Sequence, residues 1–171
     1  MKPERWIADG VAFLPVNLQG LGDVTRLYYI DGQEEICEVP VQHFFADLTQ
    51  IFGIDASLMR KRYGRLLGKS QLIPIPFSYE WTLLPLKVRS PIGRQSCYGW
   101  FLAQEIQRIE EVERLQTHVF LTGGHRIPIL HPAHTIRERI RDAMVVQYQF
   151  QLLHQRISQA KERNLPYSPP M

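Results

Sequence analysis

A chain of 171 residues, 44% of them hydrophobic, can bury one sizeable core but is too short for two. No apolar run approaches the ~20 residues of a membrane helix, and MKPERWIADG lacks the apolar stretch of a signal peptide, so a cytoplasmic protein without membrane contact is expected. The net charge of +3 is modest but unevenly spread: residues 1–56 hold three basic and nine acidic residues (−6), residues 57–95 hold eight and one (+7), and the remainder carries +2.

Val11–Val16 and Arg26–Ile30 are short β-branched or aromatic runs separated by Asn17–Gly22, a loop with two glycines. Asp31-Gly32 is a hairpin signal, with Ile36–Val39 as the returning strand. Val41, Phe44, Phe45, Leu48, Ile51 and Phe52 recur at three- and four-residue steps, which predicts a helix over Val41–Phe52 stopped by Gly53. Asp55 is placed to cap a second short helix, Ala56–Tyr63. Gly64 and Gly68 then bracket a tight cationic stretch, Gly-Arg-Leu-Leu-Gly-Lys-Ser.

Leu72–Phe77 contains Pro74 and Pro76, which restricts it to an edge strand or an extended segment. Trp81–Leu86 and Tyr98–Gln104 read as strands, with Lys87–Ser96 between them as a mobile cationic loop. Glu105–Leu115 fits either a strand end or a short charged helix. His118–Leu121 and Arg126–Leu130 flank Gly123-Gly124 as a hairpin. Thr135 and Glu138 match a capping box. After them Ile136, Ile140, Ala143, Phe150, Leu153, Ile157 and Ala160 follow a helical period to about Arg163, before a tail with Pro166, Pro169 and Pro170.

The expected architecture is α+β. Short antiparallel strands form a twisted sheet or partial barrel, with two short helices in the middle and one long C-terminal helix. Residues 1–132 make the β-rich core and residues 133–171 the helix and its tail, within one domain overall.

Catalytic patterns are weak. There is no G-x-S-x-G, and Cys37 and Cys97 fit no metal or redox spacing. Gly64–Ser70 ends like a phosphate loop, but it is one residue short and follows a helix rather than a strand. His118, His125, His131 and His134 crowd one stretch, with His134 and Glu138 at i, i+4, yet no H-E-x-x-H or thiolate pair accompanies them. Glu34-Glu35 and Glu110-Glu111 are adjacent pairs whose side chains point apart. No cofactor, metal or enzymatic role is expected.

The basic segment carries the functional expectation. A local concentration of one charge attracts a polyanion even on a nearly neutral chain, although many such runs are only solvated faces. Arg60, Lys61, Arg62, Arg65 and Lys69 are the first candidates for phosphate and groove contacts, and Arg89 and Arg94 the second. Tyr63, Tyr98 and Trp100 are available for base stacking but fit better as core aromatics.

The order of elements resembles the competence transcription factor ComK family of Gram-positive bacteria. Tyr63-Gly64-Arg65-Leu66-Leu67-Gly68-Lys69-Ser70 is followed by the proline-punctuated Leu72–Phe77, then Cys97-Tyr98-Gly99-Trp100. Next come Thr117–Thr122, Gly123-Gly124 and Arg126-Ile127-Pro128-Ile129, and a helix with Tyr148-Gln149-Phe150 and Arg156-Ile157 closes the series. The resemblance spans roughly Phe45 to Ile157. It departs where Tyr98 separates Cys97 from Gly99-Trp100, and the longer tail used for adaptor-guided proteolysis in the family has no counterpart before Met171. Val119–Arg139 is also faintly similar to LytTR-type DNA-binding domains. What the resemblance implies is a transcription activator that binds A/T-rich double-stranded DNA largely through the minor groove, as a homo-oligomer. Adaptor or polymerase contacts are left undefined. The alternative is a protein-interaction module working through its long C-terminal helix, without direct DNA binding.

Overall fold

The computed structural model describes residues 2–164, with side chains from Pro3 to Arg156. Strands β1 (Gly10–Leu18), β2 (Gly22–Tyr29) and β3 (Glu34–Cys37) form the expected antiparallel meander. At its second turn the Asp31 carboxylate accepts the Gln33 N–H at 2.9 Å, which is why Asp-Gly closes the loop there. Helix α1 (Lys2–Asp9) precedes the meander and was not expected. Eight residues are too few to show a period and too few for a stable isolated helix. Tertiary contact holds it: Trp6 is fully buried, donates its indole N–H to the Ala12 carbonyl at 3.0 Å, and meets Phe13 and Phe44 edge-on.

Helix α2 (Val41–Phe52) has the expected bounds, and Gly53 ends it in the left-handed region. Its stripe is buried except at the end, where Ile51 is exposed. Helix α3 (Ala56–Leu67) is capped by Asp55, whose carboxylate accepts the Leu58 N–H, but it runs a full turn past Tyr63. The Gly64–Gly68 stretch is therefore the end of a helix rather than a turn.

Strands β4 (Ile75–Ser78), β5 (Trp81–Lys87) and β6 (Tyr98–Leu102) complete a six-stranded antiparallel sheet in the order β3-β2-β1-β6-β5-β4. The proline-bearing β4 lies at the edge, where a missing N–H leaves no broken ladder bond. A short 3-10 turn, Ala103–Glu105, leads into β7 (Ile106–Glu113). The ambiguous Glu105–Leu115 stretch is thus a strand. With β8 (Gln116–Leu121) and β9 (His125–Ile129) it makes a second, three-stranded antiparallel sheet. Both sheets are open, so the strands do not form a barrel.

Side-chain alternation splits the core between the two faces of the large sheet. Phe13, Leu83, Trp100 and Leu102 pack with Trp6, Phe44, Leu48 and Tyr63 on the helical side. Ala12, Leu14, Leu84, Leu86 and Phe101 pack with Val119, Leu121, Ile127 and Ile129 of the small sheet. Helix α4 (Ala133–Asn164) joins both cores, giving Ile136 to the second and Val146 and Phe150 to the first. Its side chains are thus part of the core. Buried Gln147 fastens it to β5 through the Thr82 hydroxyl and to the β4–β5 turn through the Tyr79 carbonyl.

The expected capping box at Thr135 and Glu138 does not form. The helix starts at Ala133, and the Pro132 carbonyl accepts the N–H groups of Thr135 and Ile136. Glu138 then points to Lys69 instead. Ile157, Ala160 and the proline tail fall outside the residues whose side chains are described. No helix among the described residues is long and apolar enough to cross a membrane.

Candidate nucleic-acid interface

The basic segment divides into three environments. Lys61, Arg62 and Arg65 of α3 are exposed and border a groove against α4, where Gln149 and Arg156 complete the polar rim. The groove encloses about 780 Å³, and its lining has four cations and no carboxylate. Leu58, Leu66, Leu152 and Leu153 form its apolar part. Arg156 was absent from the candidates read from sequence. Its signal was present in the period of α4, which puts Gln149, Leu152, Leu153 and Arg156 on one face.

Arg60 lies elsewhere. It projects from the other side of α3, its guanidinium 5.5 Å from the Phe45 ring centroid, and borders a separate cleft. Helical geometry separates it from its neighbours in sequence, since Arg60 is 100° from Lys61 and 200° from Arg62 at about 100° per residue.

Lys69 is not available to a ligand. Its ammonium donates to the Asp142 carboxylate at 2.6 Å and to Glu138 at 2.8 Å, and Arg139 also holds Asp142, at 3.2 Å. Burial works against the lysine's charge, but the hydrogen bonds to Asp142 and Glu138 outweigh it and raise its pKa above the ordinary value. The same contact, through its hydrogen bond first, holds the Glu138 carboxyl below its usual range.

The helix end explains this placement. The Gly68 N–H donates to the Arg65 carbonyl at 3.3 Å and the Lys69 N–H to the Gly64 carbonyl at 2.9 Å, with Gly68 at φ 68°. The chain folds back so tightly that a Cβ on Gly64 would lie 2.6 Å from the Lys69 carbonyl oxygen. The backbone approached by this glycine is the protein's own, not a phosphate.

Arg89 is also committed. It donates to the Asp23 carboxylate and to the Ser96 carbonyl, each at 2.8 Å, and both members of the ion pair are largely buried. The Asp23 bond and the Asn17 amide bond to Gln95 tie the expected mobile loop to β1 and β2, while the Ser96 bond and the Val88 N–H to the Cys97 carbonyl close it on itself. Arg94 remains exposed on that loop. Tyr63 and Trp100 are buried core aromatics, and Trp100 stacks on Phe45 at 4.4 Å.

The histidines do not converge. His125 is buried and its Nε2–H donates to the Tyr29 carbonyl at 2.7 Å, docking the β8–β9 turn on the β2–β3 turn. Gly123 permits that docking, because a Cβ there would lie 2.7 Å from the Tyr29 carbonyl oxygen. His131 accepts the Lys87 N–H at 3.2 Å, and burial first, then Arg139 and Lys87, lower its pKa. Among the described residues, no group of three or more His, Cys, Asp or Glu is close enough to hold a metal ion.

Fold and surface together define an α+β domain with an acid-free cationic groove between two helices. No family model matches the chain, and no curated protein matches it.

Proposed function

We propose that this protein is a DNA-binding transcription activator of the ComK type that recognises A/T-rich duplex as a homo-oligomer, and that it is not an enzyme. The observation that carries the reading is the groove in which Lys61, Arg62, Arg65 and Arg156 gather without a carboxylate. Such a surface binds phosphates by releasing their counterions, so its affinity must depend on salt. A/T-rich minor grooves are narrow and strongly negative, which rewards inserted arginines and makes shape the code. The resemblance of the segment around Gly64–Ser70 to the ComK pattern supports the choice of ligand, although Lys69 there acts within the fold.

The test compares two cations on an A/T-rich duplex. Arg65→Ala weakens binding by about tenfold, the scale of one charge-assisted contact. Lys69→Met, measured where it is still folded, leaves affinity nearly unchanged. Equal losses in both variants refute the assignment.

A second reading, a protein-interaction module, is favoured by Met144, Val145 and Tyr148, which form an exposed apolar patch on α4. Removing α4 would not test it, because Ile136, Val146 and Phe150 belong to the core. A mass measurement on the intact chain does: a monomer that binds duplex removes self-association through this patch, and an oligomer that ignores duplex favours it.

A further inference from the structure

The cleft beside Arg60 is distinct from the basic groove and encloses about 630 Å³, within the range of small-ligand sites. Strand pairing creates it. Strand β4 pairs with β5 only as far as Ile75 and Leu83, so no strand covers Pro85 on that side. Pro85 and Trp100 supply an apolar floor, and Gln42, Ser70 and Gln71 supply neutral polar groups.

Two observations single out this cleft as a ligand site. First, the Arg60 guanidinium makes no hydrogen bond or ion pair among the described residues, and it is the only charged group lining the cleft. Second, Leu72, which also lines it, has φ 54° and is the only non-glycine residue with positive φ among the described residues. Such a conformation is uncommon for a leucine and is concentrated at ligand clamps and switch segments.

We propose that this cleft binds a small planar organic acid carrying one negative charge. Its ring would lie on Pro85 and Trp100, and its carboxylate would take the two parallel N–H donors of Arg60. A guanidinium fork matches a carboxylate in this way. A single cation among neutral polar neighbours matches one negative charge. The inference goes beyond the DNA reading, and its test uses no DNA.

The intact chain is titrated by calorimetry with 2-naphthoate and with its uncharged counterpart, 2-naphthylmethanol. The expected result is one site per chain with a Kd on the order of 0.1 mM for the acid, and binding about tenfold weaker for the alcohol. Arg60→Gln removes that preference, whereas Arg65→Gln, on the groove side of α3, preserves it. Ser70→Trp, which fills the mouth from an exposed position, abolishes binding of both probes without lowering the melting temperature. Absence of saturable binding by the acid, or a preference for the acid that survives Arg60→Gln, overturns the proposal.

Discussion

Replacing Gly64 with alanine sets two opposing effects against each other. In an ordinary helix interior, alanine is favoured over glycine by about 1 kcal/mol. Here the new Cβ would lie 2.6 Å from the Lys69 carbonyl oxygen, and that atom is backbone held by the helix cap. Relief requires the returning chain to move, at a cost of about 1–3 kcal/mol for overpacking. It also weakens the 2.9 Å bond from the Lys69 N–H to the Gly64 carbonyl, worth about 1 kcal/mol. The net expectation is a destabilisation of about 2 kcal/mol, or a fall in melting temperature of about 4–8 °C for a chain of this length. Urea unfolding measures it, with the slope against denaturant unchanged. A Gly64→Ala protein as stable as the parent would refute the close approach.

Two further predictions concern the fold. Trp6→Ala removes a fully buried indole and its bond to Ala12, and should cost about 3–5 kcal/mol in urea unfolding; a cost under about 1 kcal/mol would show that α1 is not part of the core. His131 is held neutral in the fold, so the unfolded chain takes up a proton first, at its ordinary pKa of about 6.5. Its contribution is complete above that pH and is lost as pH falls towards the lowered folded value. The melting temperature should therefore drop more steeply between about pH 7 and pH 5 in the parent than in His131→Gln; parallel curves would remove His131 as the cause.

Elements with long, regular periods were legible in the sequence. Helix α2 was bounded correctly because its apolar stripe runs from a proline to a glycine; the β2–β3 and β8–β9 hairpins were placed by their Asp-Gly and Gly-Gly turns, but their strand ends fall up to four residues from the expected ones. Helix α1 was illegible because one buried tryptophan, not a pattern, holds it. The end of α3 was misread because Gly64 and Gly68 look alike in sequence but act differently: one makes room for returning backbone, while the other takes a left-handed φ. Among the site residues, sequence located the cationic helix but not the partners of its charges. The carboxylates that neutralise Lys69 lie at Glu138 and Asp142, and the one that neutralises Arg89 at Asp23, and only the tertiary fold brings them together. Arg156 was missed for the converse reason, since it reaches the groove from the far end of the chain.

The central claim is tested most directly by measuring affinity for an A/T-rich and a G/C-rich duplex over a range of salt concentrations. Six phosphate contacts among the seven cations named from sequence would give a slope of log K against log salt of about −5.4. Lys69 and Arg89 are neutralised and Arg60 lies on the other cleft; the groove itself offers Lys61, Arg62, Arg65 and Arg156, and four contacts give an expected slope of about −3.6. The account predicts that slope together with tighter binding to the A/T-rich duplex. Salt-insensitive binding, no binding, or equal affinity for the two duplexes would contradict it.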